Sequence, residues 1–324
     1  MPPVSGRPAP GRLRAGASAL GTVISVVAVV GVVWWALRQE PPRLPDTPER
    51  IGALLGAIAL YALVTMVRAE RWHALLRADA AQPRRADSYA LTVVGYAANN
   101  VLPARAGDAI RVVLMAPRAG TSKRTVLGTL VAERLLDIAV ILVLFAVVGY
   151  GILGEVGGSS LGVVAALLAG VAALGATVWL FARSRPRVRA FVDPVLASTL
   201  GLRSRSGLRL LAVTVVIWAI EAGVWMAAGS AVGFHMDPIE GAYLVALASV
   251  FALVPSGPGY AGTQDAAALI GIRALGGSGA VAVAYLLTVR FILMVPITLA
   301  GLLIGAARYG GLRRLRAARA EGAA

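Results

Sequence analysis

Several runs of about 20 residues pass without a charge near their centre, and no feature constrains the chain more. Each is long enough to cross a hydrocarbon core about 30 Å thick as a helix. The clearest cover 15–37, 51–67, 138–154, 161–182, 210–232 and 279–307. Hydrophobic residues make up 58% of the 324, against roughly 45–50% in soluble domains, so the excess has to face lipid. Arg7, Arg12 and Arg14 precede the first run. That run is too long for the core of a secretory signal, and no small-x-small cleavage site precedes Arg38, so it reads as a retained span.

The net charge of +15 raises nucleic acid as a partner, but the placement of the charges argues for a membrane instead. With the amino terminus in the cytoplasm, most of the 31 Lys and Arg fall before residue 15 or within 68–85, 118–124, 183–209 and 308–319. Only Arg38, Arg43, Arg50 and Arg273 fall outside. This is the positive-inside bias of a plasma-membrane protein with both termini cytoplasmic. Basic tails over 1–14 and 308–324 then flank a membrane domain over 15–307, and the basic loops attract anionic lipid. Residues 68–79 and 186–203 mix arginine with apolar residues, which suits helices lying in the interface or plain connectors. The chain has no cysteine, which excludes disulfides and thiolate metal sites. His73 and His235 lie far apart beside predicted spans and read as interfacial imidazoles, and no cofactor is expected.

Two apolar regions do not read as simple spans. Ser88–Ala116 contains Asn99, Asn100, Pro103, Arg105, Gly107, Asp108 and Arg111; Gly241–Leu275 contains Pro255, Gly257, Pro258, Gly259, Gly262, Thr263 and Asp265. Proline and glycine at that density end helices, and irregular backbone at membrane depth survives only where protein or a polar cavity surrounds it. The expectation is a re-entrant pair of half-helices in each region. Val101-Leu102-Pro103 followed by Gly107-Asp108 has a looser counterpart in Leu253-Val254-Pro255 followed by Gly262 and Asp265, and each region precedes a span bearing an arginine, Arg134 or Arg290. The fold expected is therefore an all-α polytopic membrane protein with about six full transmembrane helices, two re-entrant helix pairs and weak inverted-repeat symmetry, the usual pointer to a transporter site at the midplane.

Inside these segments Arg105, Arg111, Arg134 and Arg290 face Asp108, Glu133, Asp137, Glu221 and Asp265. Each costs on the order of 2.5–3.5 kcal/mol on an isolated membrane helix, so such residues pair or line a cavity. A helix starting at Lys123 carries Glu133 to a depth of roughly 15 Å. Arg134 and Asp137, three apart, share a face, which leaves Glu133 to meet Arg105 or Arg111. Half-helices beginning near Gly107 and Thr263 would offer free N–H groups to an anion, unless Asp108 and Asp265 cap them. Residues 257–262 fit G-x-G-x-x-G literally, but no βαβ unit surrounds them and a nucleotide is excluded.

Three ordered motifs resemble the lysylphosphatidylglycerol synthase transmembrane family, also called flippase-like. They are Asn100-x-Leu102-Pro103-x-Arg105-x-Gly107-Asp108-x-x-Arg111, Glu133-Arg134-x-x-Asp137 and Pro255-x-x-Pro258-Gly259-x-x-Gly262. The resemblance runs over about 15–310. It implies a membrane domain that moves a lipid between leaflets through a polar cavity lined by these residues. The full synthase carries a soluble aminoacyl-transfer domain, which is not found before Ala324, so lysylphosphatidylglycerol synthesis by this chain itself is not expected. Tyr260 and Thr263-Gln264-Asp265 depart from the glycine-rich turn of many relatives.

The leading expectation is a carrier of a phospholipid or lipid-linked head group. Its candidate binding residues are Asn100, Arg105, Asp108, Arg111, Glu133, Arg134, Asp137, Glu221, Pro255, Gly259, Gly262, Thr263, Asp265 and Arg290. An intramembrane lipid-modifying transferase and a non-transporting scaffold are the alternatives. The expected partners are membrane lipids with anionic head groups, and the sequence leaves the oligomeric state open.

Overall fold

The computed structural model describes residues 29–78, 81–102, 105–153, 205–252 and 258–310, with positions 27 and 169 besides. Among the described residues a helical stretch at 29–36 is followed by eight α-helices in order: α1 Pro48–Ala78, α2 Arg85–Val101, α3 Ala106–Arg118, α4 Lys123–Leu153, α5 Arg205–Ala231, α6 Pro238–Phe251, α7 Thr263–Ala274 and α8 Gly279–Tyr309. A single 3-10 turn, Pro258–Tyr260, precedes α7. Local chemistry sets several of the ends. Asp237 caps α6 through the amides of Ile239 and Glu240, with Pro238 in the first turn. Ser278 caps α8, and Gly310 closes it in the left-handed conformation.

The bundle is apolar outside and charged within. Leu303 is 72% exposed whereas Arg111 is 0% exposed, the reverse of a water-soluble protein. α1 packs along α5, α8 along α2, and α6 against α4, α5 and α7. The larger apolar cluster joins Trp225, Leu244, Tyr285 and Ile292, and the Tyr285 hydroxyl donates to the Trp225 carbonyl at 3.2 Å. A second cluster, with Trp72, Leu91, Met115 and Tyr309, lies toward the end where α1 and α8 finish. Gly301 lets α8 close on α2, since a Cβ there would run into Ala97 and the Val93 carbonyl, whereas Gly52 and Gly56 face open space.

The expected arrangement of six spans with two re-entrant pairs and inverted-repeat symmetry is incorrect. Among the described residues three helices are long and apolar enough to cross a membrane: Pro48–Ala78, Ser206–Ala231 and Gly279–Tyr309. Counting uncharged runs failed at α4. The run 138–154 is the second half of α4, whose first half carries Glu133, Arg134 and Asp137. The two interrupted regions, which are not counted among the six, give helices of 17, 13, 14 and 12 residues, and none adds a span, since each is short of the roughly 20 residues needed. The run 161–182 and the basic stretch 186–203 lie outside the described residues, apart from position 169, and the run 15–37 is described only toward its end. Nor do residues 68–79 form an interfacial helix. They continue α1, with Arg71, Trp72, His73 and Leu76 buried. His73 is buried against α2, with its Nδ1 3.1 Å from the Ser88 hydroxyl.

Candidate functional site

Two charged regions adjoin in the bundle. The first is sealed. Arg71 of α1 grips Asp137 of α4 through both oxygens, at 2.7 and 3.2 Å, and also donates to the Thr214 hydroxyl at 2.8 Å. It lies 3.4 Å from Glu133. From the other side Arg111 of α3 donates to Glu133 at 3.0 Å, with its guanidinium 4.0 Å from the centre of the Trp72 ring. The Trp72 indole N–H is taken by Thr129 at 3.1 Å. Shared carboxylates, forked guanidinium bonds and a ring face are what buried charges require in place of water.

α3 reaches this network through a backbone contact. Gly107 donates its N–H to the Asn99 side-chain oxygen at 2.8 Å. A Cβ on Gly107 would collide with the Gly95 carbonyl, and one on Gly95 would meet the Arg111 side chain at 2.6 Å. The glycines thus seat α3 against α2 closely enough to bury Arg111. Just before α3, Arg105 takes a left-handed conformation with φ 53°. It extends to the Ala252 carbonyl at 3.2 Å and lies 5.0 Å from the centre of the Tyr260 ring. Tyr260 is itself left-handed, with φ 56°.

The second region is a cavity of about 260 Å³ onto which Arg68, Arg105, Arg134 and Arg290 open together with Asp137, Glu221 and Asp265. Their pairing is uneven. Arg290 is bound to Asp265 and donates to the Gly259 carbonyl at 2.6 Å. Arg68 lies 3.1 Å from Glu221 as an ion pair without hydrogen-bond alignment. Arg134 has only long contacts, 3.7 Å to Asp137 and 4.0 Å to Asp108, and its side chain is 35% exposed. Among the described residues Arg105 has no carboxylate within ion-pair distance. Six arginines here face five carboxylates, and the excess positive charge sits where the cavity is open.

The family model for the lysylphosphatidylglycerol synthase TM region matches residues 19–301. The chain belongs to this family. A search of curated proteins and a search of solved structures each found no match. This member of the synthase transmembrane-region family is therefore a polytopic helical membrane protein, and its inward charges have an architecture suited to handling lipid.

Of the residues singled out by sequence, Asn100, Arg105, Arg134, Asp137, Glu221, Gly259, Asp265 and Arg290 line this same cavity. Arg111 and Glu133 belong to the sealed network, and Asp108 bridges the two by contacting Arg111 and Arg134. Gly262 and Thr263 start α7, where the Gly262 N–H is taken by Asp265 at 2.8 Å, so that helix end is capped by its own carboxylate. Pro255 lies outside the described residues. Glu133 meets Arg111 and not Arg105. Sequence reasoning missed Arg68 and Arg71, which it assigned to a basic loop, and the aromatic lining formed by Tyr61, Tyr96 and Trp218. The available signal was the run from Pro48 to Ala78, which holds no proline after its first residue and no glycine after Gly56.

Proposed function

We propose that this protein carries an anionic lipid head group through the cavity while the acyl chains stay in the bilayer. The observation that supports the reading is the incomplete pairing of Arg105 and Arg134 at an open cavity in an otherwise neutralised interior. Phosphate oxygens match guanidinium forks in charge and geometry. A volume of about 260 Å³, below the roughly 300–1,000 Å³ of drug-sized sites, suits a head group rather than a whole lipid. The test is reconstitution of the full chain in vesicles with a labelled anionic phospholipid. Transbilayer movement without covalent change is expected; a modified lipid would indicate a transferase, and no movement a scaffold.

The same reading has both termini in the cytoplasm. In its support, Arg308 donates to the Ala86 carbonyl at 3.0 Å and Gln82 to the Ala119 carbonyl at 3.1 Å. These contacts gather Arg84, Arg85, Arg118 and Arg308 at one end of the bundle. Arg50 abuts Gly233 at the other end, which carries Asp46, Glu49, Asp237 and Glu240. The basic end faces inward by the positive-inside rule. With no native cysteine, Asp46→Cys should label with an impermeant thiol reagent in intact cells, and Arg84→Cys only once the membrane is opened. The opposite pattern would reverse the orientation.

A further inference from the structure

We infer that the cavity selects a head group bearing uncharged hydroxyls, from a glycerol or a sugar, beside its phosphate, and disfavours one bearing an ammonium. The inference rests on the lipid-carrier reading and narrows its substrate class. The argument begins with the carboxylates, because an ammonium needs one. Asp265 spends one oxygen on Arg290 and the other on the Gly262 N–H. Asp137 gives both to Arg71. Glu221 has its charge matched by Arg68 at 3.1 Å, although its Oε2 accepts no hydrogen bond, and the Arg68 guanidinium lies 5.7 Å from the centre of the Trp218 ring. The place where a ligand cation would find an aromatic face and a carboxylate is thus filled by the protein's own cation.

Uncharged groups are in the opposite position. Tyr61, Tyr96, Ser249 and Gln264 all line the cavity, and among the described residues none of their side chains has a hydrogen-bond partner. They come from α1, α2, α6 and α7, so four separate elements direct neutral donors and acceptors at one space. A hydroxyl both donates and accepts, as does each Ser or Tyr hydroxyl and the Gln amide. None of the four is among the buried polar atoms closed off without a partner, so their groups stay open to whatever fills the cavity, and tyrosine hydroxyls inside a protein usually find partners. A hydroxylated head group whose phosphate lies on Arg105 and Arg134 would satisfy them without displacing any ion pair.

Matched lipids test this in vesicles holding the full chain. Phosphatidylglycerol and phosphatidylpropanol carry the same charge and differ only in the two hydroxyls. Phosphatidylglycerol should move at least about tenfold faster, as expected for one or two hydrogen bonds, and faster than its lysyl ester by a similar factor. A polyprenyl phosphosugar paired with its methyl phosphate counterpart asks the same of a sugar source. Preference within either pair supports the inference and names the source. Equal rates within both pairs, or fastest movement of the lysyl ester, would overturn it while leaving the carrier reading intact. Tyr61→Phe and Tyr96→Phe should erase the preference, lowering the rate for phosphatidylglycerol more than the rate for phosphatidylpropanol. If no lipid moves, the carrier reading fails, and thermal shifts with short-chain forms of the same pairs decide the inference separately. Greater stabilisation by the hydroxylated partner upholds it, and equal shifts overturn it.

Discussion

Arg71 and Arg105 belong to the same bundle and carry the same charge, yet their surroundings have little in common. Arg71 is 2% exposed and shares two carboxylates and a threonine. Arg105 is exposed and is held by one carbonyl and a ring face. The first pattern is what a charge needs in order to remain inside an apolar bundle; the second leaves the charge able to exchange partners. A charged residue in a membrane segment is by default a functional candidate, and the comparison divides that expectation. The sealed arginines hold helices together, and the open ones are available to a ligand.

Substitutions on the two sides should therefore act on different quantities. Arg71→Ala takes from Asp137 its bidentate partner and from the buried Glu133 one of its two arginines, a loss worth about 3–5 kcal/mol for buried pairs. Unfolding in detergent should show that loss together with a poor yield of monodisperse protein, and an alanine variant as stable as the parent would dissolve the distinction. Glu133→Gln should follow Arg71→Ala in direction, because it strands Arg111. Gly107→Ala should come next, at about 1–3 kcal/mol for overpacking, since the new methyl meets the Gly95 carbonyl. A normal melting temperature there would mean that the two helices can separate cheaply. Arg105→Ala should barely move the melting curve, within about 0.5 kcal/mol, yet abolish lipid movement in vesicles. Arg84→Ala, at the basic end, should change neither. Equal transport by the Arg105 and Arg84 variants would remove the head-group role.

The two regions also differed in how far the sequence revealed them. The cavity side was readable because its residues interrupt apolar runs: Gly107 and Thr263 were expected near helix starts, and α3 and α7 begin at Ala106 and Thr263. The pairing of Arg134 with Asp137 followed from their spacing. On the sealed side Arg111, Glu133 and Asp137 were named, but Arg71 was hidden by a length argument. Twenty residues after Ile51, Arg71 lies about 30 Å further along a helix, which a hydropathy reading places at the membrane edge. In the fold α1 runs on for 31 residues, and its basic end is covered by α2, α4 and α5. Depth along a helix was legible, but lateral cover by other helices was not. The same blindness produced the wrong count of spans, because hydropathy cannot tell a lipid-facing run from a helix whose charges are met by neighbours.

The contact of Gly95 with Gly107 has a mechanical consequence. Packed helices slide past one another through the layer of side chains between them, and here that layer is missing, so α2 and α3 form a stiff joint. Two residues earlier the side chain of Arg105 reaches the Ala252 carbonyl and the Tyr260 ring, contacts that can be exchanged without unwinding a helix. Arg105 therefore stands between a backbone contact that resists sliding and a side-chain contact that does not.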